Sequence, residues 1–240
     1  RAPTVIGGSA LFYASGKIID KAKIIAAHQL EASEADLEFA DGVFRVSGTD
    51  REISLKEVAK ASFLPAKLPK GMEPGLFETA TFVPENDTYP NGCHVCEVEI
   101  DPDTGTVEIK GYRVVDDVGV MINPTIVKGQ IHGGIAQGVG QILMEQIAYD
   151  RESGQLLSGS FMDYAMPRAD NFCDIEIASN IVPTKLNPLG VKGAGEAGTV
   201  GAMPAVMNAI MNALADAGVR HLDMPATPDR VWRAIRDAAA

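Results

Sequence analysis

Glu196 stands among small residues in Gly193-Ala194-Gly195-Glu196-Ala197-Gly198. A carboxylate with so little side-chain bulk around it is open to an incoming molecule, as a general base must be. A first-turn acid is also what a helix macrodipole favours, so the local pattern supports either a base or an ordinary exposed glutamate. The same run matches G-x-G-x-x-G and leads into an apolar helical stretch, which raises dinucleotide binding. That fingerprint belongs directly behind a buried strand, whereas Pro183 and Pro188 break the stretch that precedes it here. What remains is a glycine-lined turn at a helix N-terminus, whose unpaired backbone N–H groups suit an anionic group. Cys93 and Cys96 form a C-x-x-C around His94. A structural zinc needs four ligands and Cys173 is the one other thiol. Val95, Val98 and Ile100 alternate with acids as in a strand, unlike the helix start of a redox pair. The thiols therefore read as reduced and buried.

The elements that must hold these groups are legible from periodicity. Residues 9 to 32 form a helix with Leu11, Ile18, Ala22, Ile25 and Ala26 on one apolar face. A hairpin follows across Asp41-Gly42, the dipeptide a primed turn prefers. Ser54 and Glu57 make a capping box for a short helix reaching about Ala61. Five of the 14 prolines fall between residues 65 and 90 and predict an extended connection. A second hairpin joins 94–100 to 106–115 across Asp101-Pro102-Asp103-Thr104-Gly105. A helix over Thr125 to Ile147 carries Gly129, Gly133, Gly134, Gly138 and Gly140, each costing about 1 kcal/mol against Ala. Close packing of another backbone and a ligand-facing surface both explain that loss. Strands over 156–166 and 174–182, a helix from about Thr199 to Ala217 and a last helix from Pro228, capped by Thr227, complete the chain. The class expected is α+β, with mixed hairpins and helices. The predicted segments are 1–64 (helix plus hairpin), 65–92 (Pro-rich connection) and 93–240 (the segment carrying the glycine turn), the first and last either separate domains or parts of one compact domain.

The chain has 240 residues, 21 basic and 32 acidic, for a net charge of −11. That balance opposes a nucleic-acid or anionic-membrane partner. The longest apolar tract, Val200 to Leu214, is interrupted by Pro204, Asn208 and Asn212 and is too short to span a bilayer. No charged start precedes an apolar signal region, and three cysteines suit a reducing cytoplasm. The first residue is Arg rather than Met, so the chain is expected to be a piece or a processed product of something longer.

Several motifs occur in a fixed order: Asp116-Asp117-Val118-Gly119, Ile122-Asn123-Pro124, Gly129-Gln130-Ile131-His132-Gly133-Gly134, Gln137-Gly138, the stretch from Gly159 to Arg168, and the stretch from Asn187 to Gly198. Together they resemble the C-terminal part of the molybdopterin-binding large subunit of the xanthine oxidase, aldehyde oxidase and aerobic carbon monoxide dehydrogenase family. The resemblance spans essentially the whole chain. It implies a molybdenum hydroxylase portion that oxidises or hydroxylates an electrophilic carbon (carbon monoxide, an aldehyde or an N-heterocycle). Glu196 matches the family's catalytic base. Lys192, Gly193, Ala194 and Gly195 match its cofactor cradle, and Gln130 a cofactor-contacting glutamine. Arg1, Ala2 and Thr4 match the tail of another cofactor loop.

The resemblance further implies a molybdenum–molybdopterin cofactor in its cytosine dinucleotide form, with the metal held by the pterin dithiolene and by no protein ligand. His94 and His132 then read as packing or polar satisfaction. Iron–sulfur clusters and FAD are expected on partner chains. The family's large subunit is about three times this length, so the N-terminal half, whether in the same polypeptide or a split subunit, is expected to complete the site. A nicotinamide-dependent dehydrogenase domain and a non-catalytic assembly module are the competing classes.

Overall fold

The computed structural model describes residues 3–239. They divide into two compact units, with the division between Glu85 and Asn86, inside the Pro-rich connection.

In the first unit a π-type turn, Pro3–Gly8, leads into α1 (Ser9–Gln29). Ala22, Ile25 and Ala26 are fully buried, but Leu11, predicted on the same face, is 70% exposed. The groups that cover α1, Leu37, Phe44 and Val58, gather around its second half. Strands β1 (Leu37–Ala40) and β2 (Val43–Val46) pair antiparallel around Asp41 and Gly42. Both turn residues have positive φ, +51° and +78°, as the primed turn requires. Strand β3 (Glu52–Ser54) adds to β2 and runs into α2 (Leu55–Ala61). The predicted capping box is complete: Glu57 N–H donates to Ser54 Oγ at 3.2 Å, and Ser54 N–H donates to Glu57 Oε2 at 3.0 Å.

The second unit is built on β4 (Asn91–Ile100) and β5 (Val107–Asp117), an antiparallel hairpin joined at the expected turn. Strand β6 (Ile175–Ser179) pairs parallel with β5, giving the order β4-β5-β6. Helices α3 (Pro124–Leu143) and α4 (Ala197–Ala215) pack against each other and share a core with the sheet. Ile131, Ile135, Val139 and Ile142 repeat at helical spacing and are all buried; each is worth about 1.5–3 kcal/mol relative to exposure. Helix α5 (Pro228–Ala238) contributes the buried Val231. Thr227 holds its N-cap position without a capping side-chain bond, contrary to expectation.

Mixed hairpins and separate helices confirm the α+β class. The predicted strand 156–166 does not form. There, Asp163 and Tyr164 N–H groups bond the Ser160 carbonyl at 3.0 and 2.8 Å, and Ser160 Oγ donates to Asp163 Oδ2 at 2.7 Å. Such local bonds compete with a sheet ladder, and the segment turns instead.

Candidate active site

Two stretches of the second unit, distant in sequence, are tied into one platform below the glycine turn. Asn187 is buried, and its carboxamide spans Val191: Nδ2 donates to Val191 O at 2.9 Å, and Val191 N–H donates to Oδ1 at 3.1 Å. Lys192 N–H bonds Val118 O at 2.9 Å, and Val120 N–H bonds Gly190 O at 3.0 Å. Gly119, at φ +67°, lies so close to this loop that a Cβ would meet Gly190 O at 2.3 Å. The Lys192 ammonium closes the platform by bonding the buried Asp117 carboxylate. Burial pushes the Asp117 carboxyl up, but Lys192 and the N–H groups of Gly119 and Val182 outweigh it and hold the group below the usual carboxylate range.

The platform delivers the chain to α4, with Glu196 at its N-cap position. No strand runs directly into the turn; Val191 makes only an isolated bridge with Gly119. The strand–turn–helix setting of a dinucleotide fingerprint is therefore lacking. Gly193, Gly195 and Glu196 line a cavity of about 660 Å³ together with Tyr89, Pro90, Asn91, Gly92, His94 and Asp116. Gln130, exposed on α3, reaches the same turn: a Cβ built at Gly195 would lie 4.0 Å from its Oε1.

The glycines of α3 differ in what surrounds them. A Cβ at Gly134 would come 2.9 Å from Thr199 N, and one at Gly198 would come 2.5 Å from Ile131 O, so helix backbones touch there. Thr199 Oγ1 reinforces the crossing by donating to Gly134 O at 3.0 Å. Gly129 and Gly133, flanking Gln130, face open space.

Of the residues singled out from sequence, Gly193, Gly195 and Glu196 share the cavity wall, and Gln130 adjoins it. Ala194 and Lys192 belong to the same loop, with the Lys192 ammonium directed at Asp117. Thr4 is exposed in the first unit, and Arg1 and Ala2 lie outside the described residues. The C-x-x-C is not a buried pair. Cys93 is exposed, and Cys96 is half-buried with its thiol pushed up to about 12, first by burial and then by Cys173 and Glu97. Asn91, His94 and Asp116, which also line the cavity, carry no site signal in the sequence.

The molybdopterin cofactor-binding domain family matches residues 2–173. The chain is 37% identical over 235 residues to the carbon monoxide dehydrogenase large chain of Hydrogenophaga pseudoflava, covering 98% of this chain and 29% of that one. It is 41% identical over 234 residues to the nicotine 6-hydroxylase large subunit of Paenarthrobacter nicotinovorans, covering 97% and 29%. The crystal structure of the Cu,Mo-CO dehydrogenase in its carbon monoxide-reduced state superposes with a TM-score of 0.91 at 37% identity, over 99% of this chain and 30% of that one. The chain thus spans less than a third of the length of these relatives.

Proposed function

Because the chain belongs to the molybdopterin cofactor-binding family of carbon monoxide dehydrogenase-type large subunits, we propose that it supplies the base, Glu196, and one side of the cofactor cradle to a molybdenum hydroxylase. The substrate class is an electrophilic carbon: carbon monoxide, an aldehyde or an N-heterocycle. The cavity that Glu196 shares with the bare Gly193–Gly195 turn, with Gln130 against that turn, carries the assignment.

These residues fit a pterin group. The turn offers backbone without side-chain cover, and helix-start N–H groups suit phosphate or oxyanion. The Gln130 carboxamide both donates and accepts, as a ring edge of alternating nitrogen and oxygen demands. When bound, the molybdenum cofactor would supply the two-electron oxidation of the substrate carbon. Glu196 takes up a proton at its carboxylate as the oxygen nucleophile attacks, the general-base role. The Lys192–Asp117 pair and Asn187 keep the turn in register, so that carboxylate and amides hold their positions. Pro90 and Val200 contribute apolar surface to the cavity wall.

The cofactor's cytosine dinucleotide form, and iron–sulfur and FAD subunits as electron carriers, belong to the same reading. So does a large-subunit remainder that completes the site. Phe161 and Met162, 81% and 93% exposed, are surface of the kind a neighbouring subunit covers. Three free thiols suit a reducing, cytoplasmic setting. In the assembled enzyme, Glu196→Gln should abolish turnover while molybdenum content stays near that of the parent, and Gln130→Ala should lower bound cofactor. Unchanged turnover in the first variant would refute the assignment.

A further inference from the structure

In the wall of the same cavity, a chain of buried polar groups ends in a carboxylate oxygen without a partner. Tyr112 OH lies 2.7 Å from His94 Nδ1, and His94 Nε2 lies 3.3 Å from Asp116 Oδ1. The His94 and Asp116 side chains are 5% and 2% exposed. A neutral imidazole with its hydrogen on Nε2, facing Asp116, would accept from the Tyr112 hydroxyl at Nδ1. Asp116 Oδ2 has no hydrogen-bond partner among the described residues. Burying a carboxylate oxygen without a donor is unfavourable, and this one belongs to a wall residue of the cavity.

Two glycines seat the pair. A Cβ at Gly92 would stand 1.9 Å from Asp116 Oδ1, and one at Gly201 would stand 2.4 Å from His94 Nε2. Both glycines line the cavity, so a side chain at either would drive the carboxylate or the imidazole out of place.

We propose that Asp116 is a second recognition group of this cavity: its carboxylate, held by His94 and closed to solvent in this structure, turns to accept a hydrogen bond from a polarised N–H of the bound molecule. The inference rests on the cavity being the ligand site assigned above. Next to Asp116 itself a donor is favoured over an anion, which belongs instead at the amides of the Gly193–Gly195 turn. An N–H on an amino-substituted or lactam ring meets the requirement, and it could come from the cofactor's pterin or from the substrate.

Asp116→Asn in the assembled enzyme keeps the shape and puts an amide where the carboxylate stood. Gly92→Ala displaces the carboxylate without removing its charge. Released pterin and molybdenum per enzyme read the first source. Equilibrium dialysis of 2-aminopyridine against 2-methylpyridine, matched in shape but differing in the N–H donor, reads the second. If the cofactor is the donor, both variants lose at least half of their bound pterin. If the substrate is the donor, pterin is retained, and the parent prefers 2-aminopyridine by about 10-fold, as expected for a hydrogen bond to a charged acceptor; both variants then erase that preference. Full pterin in both variants together with no preference in the parent overturns the proposal, and the parent's preference is measurable even if a variant does not fold. A Glu196→Gln enzyme that keeps turnover would sink the base assignment but leave these readouts unchanged.

Discussion

Asp116 and Asp117, consecutive in β5, serve opposite faces of the strand: Asp116 faces His94 and the cavity, while Asp117 bonds Lys192 and the loop N–H groups of Gly119 and Val182. Period-two alternation of a strand is sufficient cause. One acid thereby borders the cavity, and the other holds the loop that carries Glu196.

Lys192 should therefore act on the cofactor through the platform. Lys192→Met leaves the Asp117 carboxylate buried without its cation, at a cost of about 3 kcal/mol, and urea denaturation of the assembled enzyme should show it. Asp117→Asn should lower bound cofactor in the same way, although Asp117 is not a wall residue of the cavity. Normal cofactor in Asp117→Asn beside a loss in Lys192→Met would make the ammonium a direct contact instead.

The same pair sets an acid limit. The Asp117 carboxyl is held below its ordinary range in the folded chain, so the native state binds its proton more weakly than the unfolded chain does. The stabilisation is complete above the unfolded value of about 4 and drains away as pH falls through the folded one. Urea midpoints between pH 7 and pH 3 should fall less steeply in Asp117→Asn than in the parent. Equal slopes would contradict the linkage.

Much of the scaffold was legible because its signals are local. Asp41-Gly42 dictates its own turn, Ser54 and Glu57 cap a helix by contacts three residues apart, and the apolar period of α3 names its buried face. The segment 156–166 reads as a strand from sequence, yet Ser160 and Asp163 close a turn within four residues. Leu11 was misplaced because periodicity shows a face without showing how far its cover extends. The Tyr112–His94–Asp116 chain was missed for a different reason. His94 looks solitary in sequence, yet the hairpin register pairs it with Val114, which places Tyr112 and Asp116 diagonally opposite on the same face. Counting outward from the predicted 101–105 turn, with allowance for the irregularity at Glu97/Val98, would have exposed it. Glu196 owed its visibility to motif resemblance, since a first-turn acid alone has a bland explanation.

The glycines of α3 should separate in a mutational comparison. Gly134→Ala forces a methyl against the backbone of α4 and should destabilise by about 1–3 kcal/mol, as overpacking does. Gly129→Ala meets open space and should gain up to about 1 kcal/mol from helix propensity. Thermal melting of both variants checks the contrast, and equal effects would remove backbone contact as the reason for Gly134.

Thiol chemistry offers a quick check of the strand that carries His94. Cys93 is exposed, whereas Cys96 is half-buried and pushed up to about 12. A maleimide at pH 7.5 should label Cys93 well before Cys96, because the thiolate is the reactive form. Mass mapping that finds Cys96 modified first would contradict this facing of β4.

The decisive measurement is a single turnover. Parent and Glu196→Gln holoenzymes of equal molybdenum content would be mixed rapidly with excess substrate, and the bleaching of their bound redox centres followed. Loss of the base predicts a reduction rate slower by roughly 100- to 10,000-fold, with cofactor unchanged; a variant that is reduced as fast as its parent would show that Glu196 does not move the proton.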